Sequence, residues 1–244
     1  MPKKLPTLPL VLVLASLVLS GCGALNPFSG SKGPDTPQAL LEAGQKAMDE
    51  ADYGQAAEYF QRIKEEHPFS RETAEAELGL ANAYFQQGKH SKAESAYKEY
   101  ESLHPGDPEI PYVLFRIGRA NLRQFTSIDL SQQEVREAEE YFTRLVQGYP
   151  QSDYTADARE QMQKCRKLRA YHEIYVADFY MRTEKYRAAW RRYTHVRDTF
   201  TSLEEFVEYA SERGREAYYL ALRQSSEQAR IANRGSWKEW FNWL

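Results

Sequence analysis

The chain has 244 residues, with 32 basic and 35 acidic side chains and a formal net charge of −3 at pH 7. This balance lacks the excess of lysine and arginine that nucleic-acid binding requires, so nucleic acid is excluded as a partner. Two cysteines occur, Cys22 and Cys165, and if Cys22 is modified, no disulfide can form within the chain.

Residues 1–21 have the pattern of a cleaved lipoprotein signal peptide. Two lysines precede an almost wholly apolar run from Leu8 to Leu19, which is too short to span a membrane. Residues 19–22 read LSGC and resemble a bacterial lipobox, in which the cysteine thiol carries a diacylglycerol and the chain is cut before the cysteine. Cys22 is therefore the predicted lipidation site, which makes the lipid bilayer a predicted partner. A plain signal peptide with an incidental cysteine is the alternative.

Residues 22–35 are predicted to form the lipidated N-terminus and a flexible tether. The stretch 23–35 is rich in Gly, Ser and Pro, a composition typical of flexible linkers. Gly23, rather than aspartate, follows Cys22, and by resemblance to enterobacterial sorting rules this directs a lipoprotein to the outer membrane.

Residues 36–234 predict one helix after another. Helix starts are indicated by Pro at the first helical position, or by a capping residue followed three positions later by Glu or Gln. Such signals lie at Thr36 with Pro37 and at residues 52–55, 91–94, 131–134 and 202–205.

A fixed spacing recurs in this helical region. Gly44 is followed by a second small residue, Ala56, 12 positions later, by Phe60 four positions further and by Pro68 eight positions after that. This is the tetratricopeptide pattern, and it predicts an all-α, right-handed α-solenoid of about five helix pairs rather than a generic helical bundle. The predicted units lie near 37–70, 74–107, 111–152, 170–203 and 204–234.

Two segments depart from the spacing. In the third unit, eight extra residues, TSIDLSQQ at 126–133, predict a protruding polar loop. Residues 153–170 have no partner 12 positions away and predict either an extra helix or a long first helix. Cys165 lies in that stretch and is expected to pack as a small hydrophobe.

The last ten residues, 235–244, predict an aromatic C-terminal helix or tail. Ser236 and Glu239 form a capping box at its start. The apolar face could pack on the last repeat, contact a partner or lipid, or stay loose. It comprises Trp237, Trp240, Phe241 and Leu244, spaced as on one side of a helix.

The sequence carries no pattern that predicts catalysis, a cofactor or a metal. The five histidines lie in no metal-ligand spacing, and there is neither a phosphate loop nor a nucleophile elbow. We therefore predict that the protein is not an enzyme and that it binds peptides or protein domains on a surface lined by first helices.

The first helices of the first three units supply the candidate substrate groove. Their side chains could form pockets for an extended segment with aromatic side chains, and ordinary packing between helices is the alternative. The candidates are Gln45, Met48, Asn82, Phe85, Phe115, Arg119 and Leu122.

Charge is unevenly distributed between the early and the later repeats. Residues 38–110 hold 7 basic and 15 acidic residues, whereas residues 159–197 hold 11 basic and 4 acidic residues. A basic cluster suits an acidic protein domain, because complementary charge sets register and speeds encounter. Solvated helix faces are the alternative. The partner-docking candidates are Arg187, Arg191, Arg192 and Arg197.

Several segments resemble the BamD family, the lipoproteins of outer-membrane β-barrel assembly. They are PFS at 68–70, AYF at 83–85 with Gly88, HPGDPEIPYVLFRIG at 104–118 and YFTRLVQGYPQSDYTADA at 141–158. The resemblance spans most of the mature chain. It implies a scaffold subunit of the complex that inserts outer-membrane β-barrels, anchored in the outer membrane and facing the periplasm.

The resemblance also implies partners. In this family the early repeats engage unfolded outer-membrane proteins, including their aromatic-ended C-terminal strand. The later repeats dock onto the barrel subunit BamA and onto accessory lipoproteins, and by position Arg192 matches a family arginine that faces BamA. The tail from about residue 234 departs from the family pattern. The alternatives are a tetratricopeptide lipoprotein for pilus assembly or peptidoglycan-enzyme regulation, and a passive envelope scaffold.

Overall fold

The computed structural model of the protein describes the backbone of residues 35–241 and the side chains of residues 35–234. Within that range all regular structure is helical, and there are nine helices. They are α1 (Pro37–Asp49), α2 (Tyr53–Glu66), α3 (Thr73–Gln86), α4 (His90–Leu103), α5 (Ile110–Gln124), α6 (Gln133–Gly148), α7 (Thr155–Arg182), α8 (Tyr186–Thr199) and α9 (Glu204–Phe241).

Each helix packs chiefly against the helices before and after it in the chain, and α1 also contacts α3. Contact restricted to near neighbours is the arrangement of a repeat solenoid. The predicted all-helical tetratricopeptide architecture is confirmed, and the described residues form four helix pairs followed by one long helix.

Glycines and aromatic rings meet at the repeat positions that the spacing identifies. The ring of Phe60 in α2 lies beside Gly44 of α1 and Gly79 of α3, where an added Cβ would lie 2.5 Å and 2.8 Å from a ring atom. Phe142 of α6 stands in the same relation to Gly118 of α5, at 2.5 Å. The small residue therefore lets the two helices approach, and the aromatic ring fills the space between them.

The buried side chains form three clusters along the chain. The first joins α1, α2 and α3 around Phe60, the second extends from α3 to α7 around Phe142, and the third joins α7, α8 and α9 around Tyr193. Cys165 is fully buried in the second cluster, and burial raises the pKa of its thiol to about 12. Cys165 therefore packs as a small hydrophobe, as predicted.

The eight-residue insertion does not protrude, so this prediction is wrong. Gln132 is buried, and its Nε2 donates to the carbonyl oxygen of Leu130 at 2.9 Å. His172 of α7 donates from Nδ1 to the carbonyl oxygen of Ile128 at 2.6 Å. The polar side chains thus bind the loop's own backbone, and the loop folds onto α7.

Two long helices replace smaller predicted elements. Residues 155–170 are the first part of α7, a single helix of 28 residues, so the long first helix is the correct alternative. The fifth unit is not a helix pair, because α9 runs for 38 residues through both of its halves. Between Ala217 and Ala229 there is no Gly or Pro to end the helix.

The backbone of α9 also continues through Ser236, so the capping box there does not begin a separate helix. The side chains from residue 235 onward and the whole of Leu244 lie outside the described residues. Within residues 35–241, no helix is both long enough and apolar enough to cross a membrane.

Candidate functional site

One repeat position, the residue directly after the first small residue of each unit, marks a common surface. Gln45, Asn82 and Arg119 occupy it in α1, α3 and α5, and Asp178 occupies it in α7. We call the surface that carries these four side chains the ladder surface. The sequence analysis selected the first three and missed Asp178, although the spacing identifies it.

Three predicted groove residues come together at the N-terminal end of the ladder surface. Gln45, Met48 and Asn82 line one cavity of about 250 Å³ between α1 and α3. Gln45 donates from Nε2 to the carboxylate of Glu75, and Leu78 adds to the apolar wall. The cavity therefore combines an apolar surface with a few polar groups, which is typical of peptide-binding pockets.

Two predicted groove aromatics belong to the core instead. The side chains of Phe85 and Phe115 are only 9% and 7% exposed. The guanidinium of Arg116 covers the ring of Phe85, 3.8 Å from its centroid, and the ring of Tyr154 lies 5.6 Å from that of Phe115. Leu122 packs against the same core and is only partly buried. Both phenylalanines therefore offer little exposed surface to a bound segment.

Arg119 lies on α5 with its guanidinium 5.7 Å from the ring centroid of Phe115. Burial, together with the charges of Arg123 and Arg116, lowers the pKa of Arg119 from its usual value. Arg119 therefore lies close to Arg116 and Arg123, two arginines that the sequence analysis did not select.

A polar network ties the ladder surface to the helices behind it. Asn82 Oδ1 accepts hydrogen bonds from the hydroxyls of Tyr97 at 2.5 Å and Tyr112 at 2.6 Å. Arg116 donates from Nε to the Tyr97 hydroxyl at 3.0 Å. Because burial raises the pKa of the Tyr97 phenol, Tyr97 stays protonated and remains a donor.

The same network recurs 96 residues later, with a carboxylate in place of the amide. Asp178 accepts hydrogen bonds from the hydroxyls of Tyr193 and Tyr209, the latter at 3.1 Å. Arg213 stands beside Tyr193, as Arg116 stands beside Tyr97. The network therefore recurs in the second and fourth helix pairs, with a neutral amide in one and a carboxylate in the other.

A second cavity lies at the C-terminal end of the ladder surface. It has a volume of about 350 Å³ between α7 and α9, and its wall includes Tyr171, Tyr175, Asp178 and Tyr209. Tyr171 and Tyr175 are exposed and are followed four residues later by a third exposed aromatic residue, Phe179. This recurrence on one helix face was available in the sequence, but the analysis of the groove stopped at the third unit.

The arginines of the basic cluster in the fourth unit have two kinds of surroundings. Arg192 of α8 donates to Glu173 of α7 at 2.7 Å, and Arg197 donates to its neighbour Asp198 at 2.8 Å. Arg187 and Arg191 are exposed, lie four residues apart, and make no ion pair with any described residue. The four predicted docking residues thus separate into two that are paired within the chain and two that are not.

The described residues contain no group of three or more His, Cys, Asp or Glu side chains that could hold a metal ion. Cys22, the signal peptide and most of the tether lie outside the described residues.

Comparison with known proteins identifies the family. The model of the YfiO family, described as outer membrane lipoprotein, matches residues 34–231, which is most of the chain. The chain belongs to the YfiO family of outer membrane lipoproteins. The match covers all the helices from α1 to α8 and most of α9, so the ladder surface lies within the family domain.

Three similar relatives are each named outer membrane protein assembly factor BamD, so the resemblance to that family is confirmed. The protein of Xylella fastidiosa strain 9a5c is 28% identical over 80% of this chain and 70% of its own. That of Neisseria meningitidis serogroup A is 29% identical over 75% of this chain and 73% of its own. That of Neisseria gonorrhoeae is 30% identical over 64% of this chain and 62% of its own.

Among solved structures, the TPR2AB domain of yeast Sti1 is similar at 13% identity, covering 82% of this chain and 86% of that one, with a TM-score of 0.46.

Proposed function

We propose that the protein is a non-catalytic adaptor subunit of the complex that assembles β-barrel proteins in the outer membrane. The observation that carries the proposal is the family match over residues 34–231 together with relatives named outer membrane protein assembly factor BamD. The solenoid suits this role, because each repeat adds binding surface without a catalytic centre.

The early repeats bind unfolded outer-membrane proteins. The cavity lined by Gln45, Met48 and Asn82 supports this assignment, because it offers an apolar wall beside amide groups on the exposed side of the first helices. An extended segment can place side chains in such pockets while its backbone uses the polar groups.

The later repeats dock onto the barrel subunit BamA and onto accessory lipoproteins. Arg187 and Arg191 support this assignment, because they are exposed cations without a described ion-pair partner. Arg192 and Arg197 remain docking residues in this proposal. To bind a partner, Arg192 must release or share Glu173, and Arg197 must release or share Asp198.

The protein is anchored in the outer membrane through acylated Cys22 and faces the periplasm. We expect Cys22→Ser to lose its acyl chains, since the thiol is the atom that carries the diacylglycerol. Cells grown with radioactive palmitate test this: wild-type protein should be labelled, a Cys165→Ser control should be labelled equally, and Cys22→Ser should not be labelled. Equal label in the Cys22→Ser variant would sink the anchoring proposal.

Affinity purification from detergent-solubilised envelopes tests the function as a whole. We expect tagged protein to retain a large outer-membrane β-barrel partner. Recovery of a secretin or of a wall hydrolase instead would favour pilus assembly or peptidoglycan-enzyme regulation. The proposal would be contradicted if the protein retained no barrel partner and did not bind a urea-denatured barrel protein. That result would favour a passive scaffold.

A further inference from the structure

Three arginines form a row along α5. Arg116, Arg119 and Arg123 lie three and four residues apart, so they share one face of the helix. The first and last members of the row are seven positions apart, which is about 10 Å along the helix axis. We call these three residues the arginine row.

None of the three arginines forms an ion pair with a residue that the structure describes, although the charge of Asp157 acts on Arg119. Elsewhere in the solenoid, partly exposed arginines pair with carboxylates, as Arg169 does with Glu139 at 2.5 Å and Arg192 with Glu173 at 2.7 Å. Arg116 instead donates from Nε to the hydroxyl of Tyr97, which carries no charge. Since a guanidinium has five N–H donors, most of the donors in the row are left for a ligand.

Aromatic rings hold Arg116, the first arginine of the row, in place. The guanidinium of Arg116 lies 3.8 Å from the ring centroid of Phe85, 5.6 Å from that of Tyr112 and 5.8 Å from that of Tyr97. Stacking of this kind limits the rotamers of the side chain, so less entropy is lost when an anion binds.

The electrostatic surroundings also favour an added negative charge. Burial and the charges of Arg123 and Arg116 lower the pKa of His90, so this ring stays neutral at pH 7. Its Nδ1 atom is buried and has no hydrogen-bond partner. The charge of Asp157 acts on Arg119, but the two side chains form no ion pair. Three like charges close together without an ion-pair partner repel one another, and a bound anion would relieve this repulsion.

We propose that the arginine row binds an extended acidic segment of a polypeptide partner, with carboxylates on alternate residues. Alternate side chains of an extended chain point the same way and lie about 6.6 Å apart, so two of them fit within the length of the row. Each carboxylate can form a bidentate pair with a guanidinium. A single chain-terminal carboxylate would leave most of the row unpaired.

This proposal deepens the proposed function, because it assigns an acidic partner segment to the same early-repeat surface, and it rests on that function. The two are nevertheless separable by experiment. Binding of a urea-denatured outer-membrane barrel protein reports on the proposed function, whereas binding of short peptides reports on the arginine row.

The test uses three fluorescent peptides of about twelve residues, a length that extends well beyond the row. The first carries glutamate at alternate positions and has both ends blocked. The second replaces each glutamate by glutamine. The third has the glutamine sequence with a free C-terminal carboxylate. Fluorescence anisotropy with the acylated, detergent-solubilised protein is measured at low and high salt.

We expect the protein to bind the glutamate peptide at least about tenfold more tightly than either other peptide at low salt, with the preference fading as salt rises. The double variant Arg119→Gln and Arg123→Gln should lose this preference. Arg136→Gln is the matched control, because Arg136 is an exposed arginine on α6, the second helix of the same unit, and makes only a hydrogen bond to Gln133.

Equal binding of the glutamate and glutamine peptides would overturn the proposal, as would preference for the free C-terminus. An unchanged preference in the double variant, with helix content intact by circular dichroism, would also overturn it. If the glutamate peptide binds through the row but the denatured barrel protein does not bind, the arginine row stands and the proposed function of the early repeats fails.

Discussion

Gly118 has a closely defined role at the residue scale. An added Cβ would lie 2.5 Å from the ring of Phe142, which is fully buried. We therefore expect Gly118→Ala to lower the free energy of unfolding by about 1–3 kcal/mol, because the ring has no free space to occupy. Urea denaturation followed by circular dichroism measures the loss.

Gly148→Ala is the control for that substitution. Gly148 ends α6, and an added Cβ there would meet nothing within 4 Å. We expect no loss of stability, since alanine is the better helix former. If the two variants lost stability equally, the close approach of α5 and α6 at Phe142 would be contradicted.

The same residue scale shows why the groove was only partly predictable. Repeat spacing put Gln45 and Asn82 at the same repeat position, and both line the cavity between α1 and α3, because a position in the repeat fixes the face of the helix. It could not distinguish Phe85 from Met48, because both follow the first small residue of their unit by four positions. Phe85 is buried because Arg116 covers its ring, and that contact comes from the next unit.

The turn inside the first, second and fourth helix pairs is the recurring feature at the element scale. Ala51, Gly88 and Glu184 have φ values of 58°, 74° and 58°, and each lies seven residues after the first small residue of its unit. In each turn the next amide donates to a carbonyl five residues earlier, as in Asp52 to Ala47 at 2.9 Å. A residue in the left-handed conformation ends the first helix of the pair, and glycine adopts that conformation with the least strain.

We expect Ala51→Gly to raise the free energy of unfolding by roughly 0.5–1 kcal/mol, because it relieves left-handed strain at a modest entropic cost. Thermal and urea denaturation test this. Gly88→Ala should have the opposite sign. Ala156→Gly in α7, an exposed helical alanine, should be destabilising. A destabilised Ala51→Gly variant would show that the turn residue is constrained by something other than φ.

Helix existence was predictable from the sequence, whereas helix ends were only partly so. The predicted caps Thr36 and Asp52 accept hydrogen bonds from Ala39 and Gln55. Ser91 was predicted to cap α4, but the helix is capped at Lys89 and begins at His90, two residues earlier than that cap implies, because the preceding turn ends at Lys89. The continuity of α9 was missed because the degenerate repeat spacing indicated two helices. The sequence between Ala217 and Ala229 contains no Gly or Pro that would end the first of them.

Arg191 and Arg192 are neighbours in α8 with different surroundings, and different outcomes follow. Arg192→Ala leaves the carboxylate of Glu173, 17% exposed, without its cation. We expect it to lower the free energy of unfolding by about 1 kcal/mol, whereas Arg191→Ala should change it by less than about 0.5 kcal/mol. Urea denaturation of both variants makes the comparison.

Binding to the purified periplasmic domains of BamA completes that comparison. Arg191→Ala should weaken binding at low salt, with an effect that fades at high salt, because an exposed pair is screened. Equal loss of stability in the two variants would contradict the distinction between the ion-paired Arg192 and the unpaired Arg191. Unchanged binding in Arg187→Ala, Arg191→Ala and Arg192→Ala would remove α8 from the interface.

At the scale of the whole molecule, stability is divided along the chain. Most contacts join helices that are neighbours in the chain, and the buried residues form three clusters rather than one core. A partner that binds one end of such a solenoid can order that end without altering the other. Separate early and later binding surfaces are compatible with this arrangement, because each surface rests on its own cluster.

Truncation of Phe60 tests whether the clusters are independent. Phe60 is almost fully buried between Gly44 and Gly79, so Phe60→Ala should cost about 3–5 kcal/mol within the first cluster. Because repeat stability is nearly local, hydrogen exchange measured by mass spectrometry should rise first in α1, α2 and α3. Exchange in α8, which belongs to the third cluster, should stay at the wild-type rate. The Tyr193→Ala variant is the reciprocal control: exchange should become faster in α7, α8 and α9 and should stay at the wild-type rate in α1. A uniform increase in all helices for both variants would show one cooperative unit, and the two binding surfaces would then be coupled through the fold.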